Sequence, residues 1–295
     1  MRGAEVAKKS ADLPAETWTN SLGMKFVPVP GTSVLFSIWV TRVQDYQAFV
    51  TATGRAWKKP NFEQGPTHPA VRVSWDDAKA FCAWLTEKER SSGTLTATQE
   101  YRLPTDLEWS TAVGLEKETG SIRREHHMDI AGVYPWGTQW PPPRGVGNYS
   151  AKLQVDDFDK TSPVGSFPAN RFGLYDMGGN VWQSCEDFCA GQNSNHVKRG
   201  GSWRAYGLDN MLSSHCGRGI GREDIHGVIG FRVVLASSGV LAPQPPASRA
   251  SAAASPEEKP ATPAERIKEI KRLLQRREIK QEEHDRRVKE ILDAI

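Results

Sequence analysis

From Tyr134 to Leu235 the chain shows almost no helical periodicity and runs instead through turns, glycines and short strands. Tyr134-Pro135-Trp136-Gly137 and Phe172-Gly173-Leu174-Tyr175-Asp176-Met177-Gly178-Gly179-Asn180-Val181-Trp182 set large rings beside glycines. Glycine reaches backbone angles that other residues avoid, and aromatic rings fill space that regular sheet would otherwise fill. Ten tryptophans in 295 residues fit that reading of a compact, loop-rich fold in which large rings replace regular sheet as packing material.

The first half is more regular. Val43, Tyr46 and Phe49 have helical spacing. His68 to Trp75 alternates like a strand and leads to Ser74, a helix cap followed by Asp76 and Asp77 in the first turn. Ala80, Phe81, Trp84 and Leu85 give that helix its apolar face. Thr105 repeats the logic, with Glu108 three residues on as a capping box.

The organisation along the chain reads as a polar lead-in over 1–16, a globular domain over 17–236, an Ala/Pro/Ser-rich linker over 237–263 and an amphipathic helical tail over 264–295. In the tail, Ile267, Ile270, Leu273 and Leu274 form one stripe; Val288, Ile291, Leu292 and Ile295 form another. Such short stripes do not stay folded alone in water, so self-association or docking on a protein partner through 264–295 is expected. A formal charge of +3, with both signs interleaved, gives no reason to expect nucleic acid. The sequence has no apolar run of the roughly 18–20 residues that cross a bilayer, and Met1 to Asp12 holds no apolar signal core. A cytoplasmic location is therefore expected of the chain as given.

Several blocks in order carry a resemblance. They are Gly23-Met24-Lys25-Phe26-Val27-Pro28-Val29-Pro30, Val73-Ser74-Trp75-Asp76-Asp77-Ala78, Arg102-Leu103-Pro104-Thr105 with Glu108-Trp109, Tyr134-Pro135-Trp136-Gly137, Gly179-Asn180-Val181-Trp182, Arg199-Gly200-Gly201-Ser202-Trp203 and Gly230-Phe231-Arg232. From about Thr19 to Ala236 the chain resembles the formylglycine-generating-enzyme or sulfatase-modifying-factor family. The resemblance implies an irregular α+β, C-type-lectin-like domain with low regular secondary structure and bound calcium. The tail is similar to the helical hairpin called SHOCT, with Gln281 where threonine is usual; it reads equally as a single amphipathic helix or coiled-coil strand.

Family enzymes oxidise a substrate cysteine with copper held by two cysteine thiolates, soft ligands that select Cu(I). Carried over residue by residue, the family active-site positions are Ser202, Trp203, Ala205 and Asn210, with Ala205 and Asn210 in place of the two cysteines. A methyl group cannot ligate copper and an amide oxygen is a poor Cu(I) ligand, so copper is not expected and the domain reads as catalytically degenerate. Cys185, Cys189 and Cys216 form a candidate thiol site, which supports the alternative of a metal-dependent oxidoreductase; the same residues also read as small buried hydrophobes. His126 and His127 read as part of a solvated insertion loop.

The resemblance places one calcium site on the Asn148 and Asp156 side chains with the Tyr149 and Phe158 carbonyls. It places a second on Asp176, Gly179, Val181 and Gln183. The first set reads equally as a solvated acidic loop. With catalysis removed, Trp203, Arg204, Tyr206, Asp209, His215 and Arg218 form a candidate binding surface. Protein recognition or assembly is the function expected, alongside a ligand-binding variable protein of a diversity-generating retroelement.

Overall fold

In the computed structural model, described over residues 17–115, 130, 132–189 and 195–237, two curled sheets share a core with three helices. Strands β1 (Trp18–Thr19), β2 (Lys25–Pro28), β3 (Val34–Ser37), β4 (Gln99–Arg102) and β9 (Val234–Ser237) make the first sheet, in the order β1-β2-β3-β9-β4. The second contains β5 (Trp182–Phe188), β6 (Asn195–Arg199), β7 (Cys216–Gly221) and β8 (Ile229–Phe231), in the order β7-β6-β5-β8. All described residues fall in one unit, Met1–Leu241. Apart from Ser237, the linker and the SHOCT-like tail lie outside the described residues, as do His126 and His127.

Every residue of β3 is buried, because the first sheet is covered on both faces. Leu35 and Leu235 turn to a cluster with Tyr46, Phe49, Phe81 and Leu85 from α1 (Val43–Thr53) and α2 (Trp75–Ser91). Val34, Phe36 and Val234 turn to the opposite cluster, with Trp109 from α3 (Asp106–Val113), Met177, Cys185 and Val197. This alternation is the two-residue period of a strand with a core on each side.

Helices α2 and α3 open with a full capping box and α1 with half of one, Arg42 N donating to Asp45 Oδ2 at 3.0 Å, because a guanidinium has no acceptor to return the bond. Ser74 pairs with Asp77 and Thr105 with Glu108, as the sequence pattern predicts, whereas α1 uses Arg42 with Asp45. Residues 68–75 do not form the expected strand. Arg72 takes a φ of 56°, which breaks the extended run, and only Pro69 makes a β-bridge, to Arg42. The backbone is satisfied locally: Ala70 N donates to Thr41 O at 2.8 Å and Arg72 N to His226 O at 3.1 Å. No described helix is long and apolar enough to cross a membrane.

Candidate functional site

The site begins where β6 ends. Arg199 is buried; its guanidinium donates to Ser214 O at 2.5 Å and to Ser110 Oγ, and lies 3.1 Å from Asp106 Oδ1. Anchored there, the chain turns through Gly200 and Gly201 at φ of 93° and 73°. A Cβ on Gly200 would lie 2.8 Å from Met177 O, so both conformation and space demand glycine. Ser202 is buried and its Oγ accepts from Arg204 N at 3.3 Å, a turn-closing role. Trp203 Nε1 donates to Gly227 O at 3.2 Å.

Ala205 and Asn210, the positions that the sequence resemblance sets against the family's thiolates, lie at this turn. A Cβ placed on Gly201 would touch Ala205 Cβ at 3.6 Å and Asn210 O at 3.5 Å. Ala205 is buried with Tyr134, Tyr149, Met211 and Leu212, while Asn210 is exposed on the short turn Asp209–Met211. Ala205 O accepts from Ser150 N at 3.0 Å, which brings the 150–160 loop alongside. The result is a cleft of about 420 Å³ lined by Ser150, Ala151, Lys152, Asp159, Lys160, Trp203, Arg204 and Tyr206. Lys152 Nζ lies 4.1 Å from the Tyr206 ring centroid, and Lys160 Nζ lies 4.7 Å from that of Trp203. Cation–π contact orients these groups without neutralising them.

Of the expected binding surface, Trp203, Arg204 and Tyr206 line this cleft. Asp209 is exposed on the next turn, His215 packs at 5.7 Å from Trp182, and the Arg218 side chain lies outside the described residues. Lys152 and Lys160 escaped the sequence reading. They are distant in the chain from Trp203 and Tyr206, and the fold brings them alongside through the Ser150–Ala205 hydrogen bond.

The expected cation positions differ in their chemistry. Asn148 is fully buried and donates through Nδ2 to Lys160 O at 2.7 Å, while its Oδ1 has no hydrogen-bond partner. Asp156 accepts from Tyr149 N and Phe158 N, each at 2.9 Å, so its carboxylate is fixed beside both expected carbonyl donors. An orphaned buried oxygen and a held carboxylate fit a hard cation. The second position is closed. Gln183 Nε2 donates to Asp176 O at 2.7 Å, and Gln183 Oε1 accepts from Trp109 Nε1 at 3.2 Å and Arg232 Nε at 2.9 Å. Two obligate donors fix the amide orientation and consume its oxygen. Arg232 is fully buried; burial lowers its pKa to about 10, against the favourable charge of Asp176. Asp176 is itself pushed up by burial, against the Gly165 N–H and Arg232. The donor set of Asp176, Gly179, Val181 and Gln183 therefore does not fit an ion.

The candidate thiol site divides. Cys185 is buried in the core, whereas Cys189 and Cys216 are half-buried, with Cys216 Sγ donating to Gly217 O at 3.8 Å. Among the described residues, no three His, Cys, Asp or Glu side chains converge as metal ligands.

The profile of the Sulfatase-modifying factor enzyme 1-like domain matches residues 32–237. The Inactive C-alpha-formylglycine-generating enzyme 2 of Bos taurus is 35% identical over 141 residues, covering 46% of this chain and 38% of that protein. The Formylglycine-generating enzyme of Thermomonospora curvata is 30% identical over 174 residues, covering 54% of this chain and 46% of that protein. The chain thus spans less than half the length of these relatives. PvdO from Pseudomonas aeruginosa shares the fold at a TM-score of 0.59 and 21% identity, covering 77% of this chain and 100% of that one. Treponema denticola variable protein 1 does so at 0.52 and 18%, covering 74% and 98%.

Proposed function

The chain belongs to the family of Sulfatase-modifying factor enzyme 1-like domains, and from that premise we propose a member that binds a protein ligand and does not oxidise one. The observation that carries this reading is the pair Ala205 and Asn210 around Gly201. A methyl and an exposed amide offer copper no thiolate, so the family's metal has nothing soft to hold it there. The similarity to a bovine protein named as inactive is in keeping with this.

The cleft beside that pair gives the ligand its chemistry. Lys152, Lys160 and Arg204 face a single carboxylate, Asp159, across it. Trp203 and Tyr206 supply the rings, and Tyr206 is 54% exposed. Cations held over aromatic faces suit an acidic peptide segment of a partner. We assign one calcium to the Asn148–Phe158 loop, held by Asn148 and Asp156 with the Tyr149 and Phe158 carbonyls. It would fix the loop that carries Lys152 and Lys160. Self-association or docking through 264–295 would add avidity; an unchanged mass by light scattering after removal of that tail counts against self-association.

The test pairs two measurements on the full chain. A fluorescent peptide rich in Asp and Glu should bind with affinity that falls as salt rises, and joint substitution of Lys152, Lys160 and Arg204 by alanine should weaken it about tenfold or more. Loading with Cu(I) followed by exposure to oxygen and a thiol peptide should give no oxygen uptake above the copper-free control. Peptide binding indifferent to the triple substitution, or copper-dependent turnover, would overturn the reading.

A further inference from the structure

Across Trp203 from the cleft lies a second concavity with a different chemistry. It has a volume of about 710 Å³ and is lined by Val43, at the start of α1, and by the loop over 59–68. Phe62 is the partition. Its ring meets that of Trp203 edge-on, with centroids 6.0 Å apart. Both rings are held at Gly227: Trp203 Nε1 donates to Gly227 O, and a Cβ on Gly227 would lie 3.2 Å from Phe62 Cε1. Trp203 lines the cleft and Phe62 lines the cavity, so one pair of rings forms a rim common to both.

A second link runs through Thr161, which is buried and follows Lys160 of the cleft. Gln64 Nε2 donates to Thr161 Oγ1 at 3.0 Å and to Pro69 O at 2.8 Å, and Val164 N donates to Thr67 O at 2.9 Å. These bonds tie the wall of the cavity to the loop that carries Lys160.

Val43, Pro60 and Phe62 are half-buried and give the cavity its apolar surface. Lys59 and Glu63, both exposed, set one charge of each sign at its edge. Lys59 Nζ is already engaged, donating to Gln47 Oε1 at 3.1 Å and lying 3.3 Å from the Trp57 ring centroid. The cleft, by contrast, sets three cations against Asp159. One polar atom of the cavity has a task left. His68 Nδ1 lies 3.1 Å from Thr161 Oγ1, and among the described residues none forms a hydrogen bond with Nε2. The ring edge that bears Nε2 faces Gly65, another residue of the lining, where a Cβ would lie 3.5 Å from His68 Cδ2 and 3.9 Å from Nε2. Burial lowers the pKa of His68, against the hydrogen bonding of Thr161, so the ring is neutral near pH 7.

Resting on the reading of the cleft as a site for an acidic segment, we infer that this cavity is its second subsite and takes a tyrosine side chain of the same segment. The ring would lie against Val43, Pro60 and Phe62, and its hydroxyl would meet His68 Nε2. A mostly apolar pocket with a few placed polar groups binds in this way, and an aromatic side chain seated in such a pocket carries much of the affinity. A phenol both donates and accepts, so it satisfies Nε2 in either tautomer of the neutral imidazole. Phenylalanine would cover that nitrogen and leave it without a partner. Carboxylates stay in the cleft, because the cavity has no excess of positive charge to draw them. The pattern recognised is an acidic run with a tyrosine at one end.

The test uses the full chain and fluorescent peptides that share one acidic run, flanked by Tyr, Phe or Ala at the N-terminal end and, in a second set, at the C-terminal end. From one of the two ends, the Tyr peptide should bind roughly tenfold tighter than the Ala peptide, with the Phe peptide between them. Gly65→Leu should fill the cavity and erase these differences, since a Cβ there meets only His68, at an ordinary contact distance. His68→Phe should keep the advantage of a ring and lose the preference for Tyr over Phe. Equal binding of the Tyr, Phe and Ala peptides from both ends would overturn the subsite and leave the acidic-segment reading standing. Binding by none of the peptides would sink that reading and the subsite with it. A Tyr preference that survives Gly65→Leu would put the ring elsewhere and likewise overturn the proposal. The peptide series on the unsubstituted chain decides the matter even if a variant fails to fold.

Discussion

At the scale of single residues, Arg232 shows how a buried charge can be held without a carboxylate against it. Its Nε donates to Gln183 Oε1 at 2.9 Å, and its two terminal nitrogens donate to Ser37 O at 2.6 Å and Tyr175 O at 2.5 Å. One planar fork satisfies three acceptors from three parts of the chain. Arg232→Met should leave them unmet and cost about 3 kcal/mol or more in urea unfolding, and Arg232→Lys should recover little of it. A lysine variant as stable as the parent would show that charge, not the fork, matters. The sequence made Gly230-Phe231-Arg232 visible as a motif. It did not reveal that Gln183 serves this arginine, because the two are brought together only by the parallel pairing of β5 with β8.

At the scale of elements, the helix starts were legible because capping is local chemistry. Ser74 with Asp77 and Thr105 with Glu108 stand three residues apart, and α2 and α3 begin after them. Arg42 and Asp45 were not legible, since arginine is not an ordinary cap; here its side chain binds the Asp45 carboxylate at 2.8 and 2.9 Å. The expected strand over 68–75 failed because tertiary hydrogen bonds to Thr41 and His226 outweighed alternation. Glu108 adds a pH dependence to α3. Burial would raise its carboxyl, but two hydrogen bonds from Arg102 at 2.7 Å, with the Arg102 charge and the Thr105 N–H, hold it below the ordinary 4.5. A carboxyl depressed in the folded state contributes stability above its unfolded value, and that contribution fades as pH falls through the folded one. Glu108→Gln should therefore be less stable than the parent near neutrality. The gap should narrow as pH drops below about 4.5, read from urea midpoints at each pH. A gap that stays constant would remove the Arg102–Glu108 pairing as its source.

At the scale of the whole molecule, the family motifs foretold the domain, while the loop pairings that build its cleft were hidden in long-range contacts. The calcium assignment belongs to this scale, because a ligand that binds only the folded form stabilises all of it. Calcium at a hundred times its dissociation constant should add about 2.7 kcal/mol, seen as a raised Tm, and Asn148→Ala should remove that increment. A Tm indifferent to calcium and chelator would count against the ion at Asn148. Because Gln183 is closed by Arg232, a single binding step is expected by calorimetry. One arrangement bears on how the protein is made. Strand β9 lies between β3 and β4, and β8 borders β5, so residues 229–237 complete both sheets. A ribosome paused ahead of them holds a chain whose apolar sheet edges stay open until that stretch emerges.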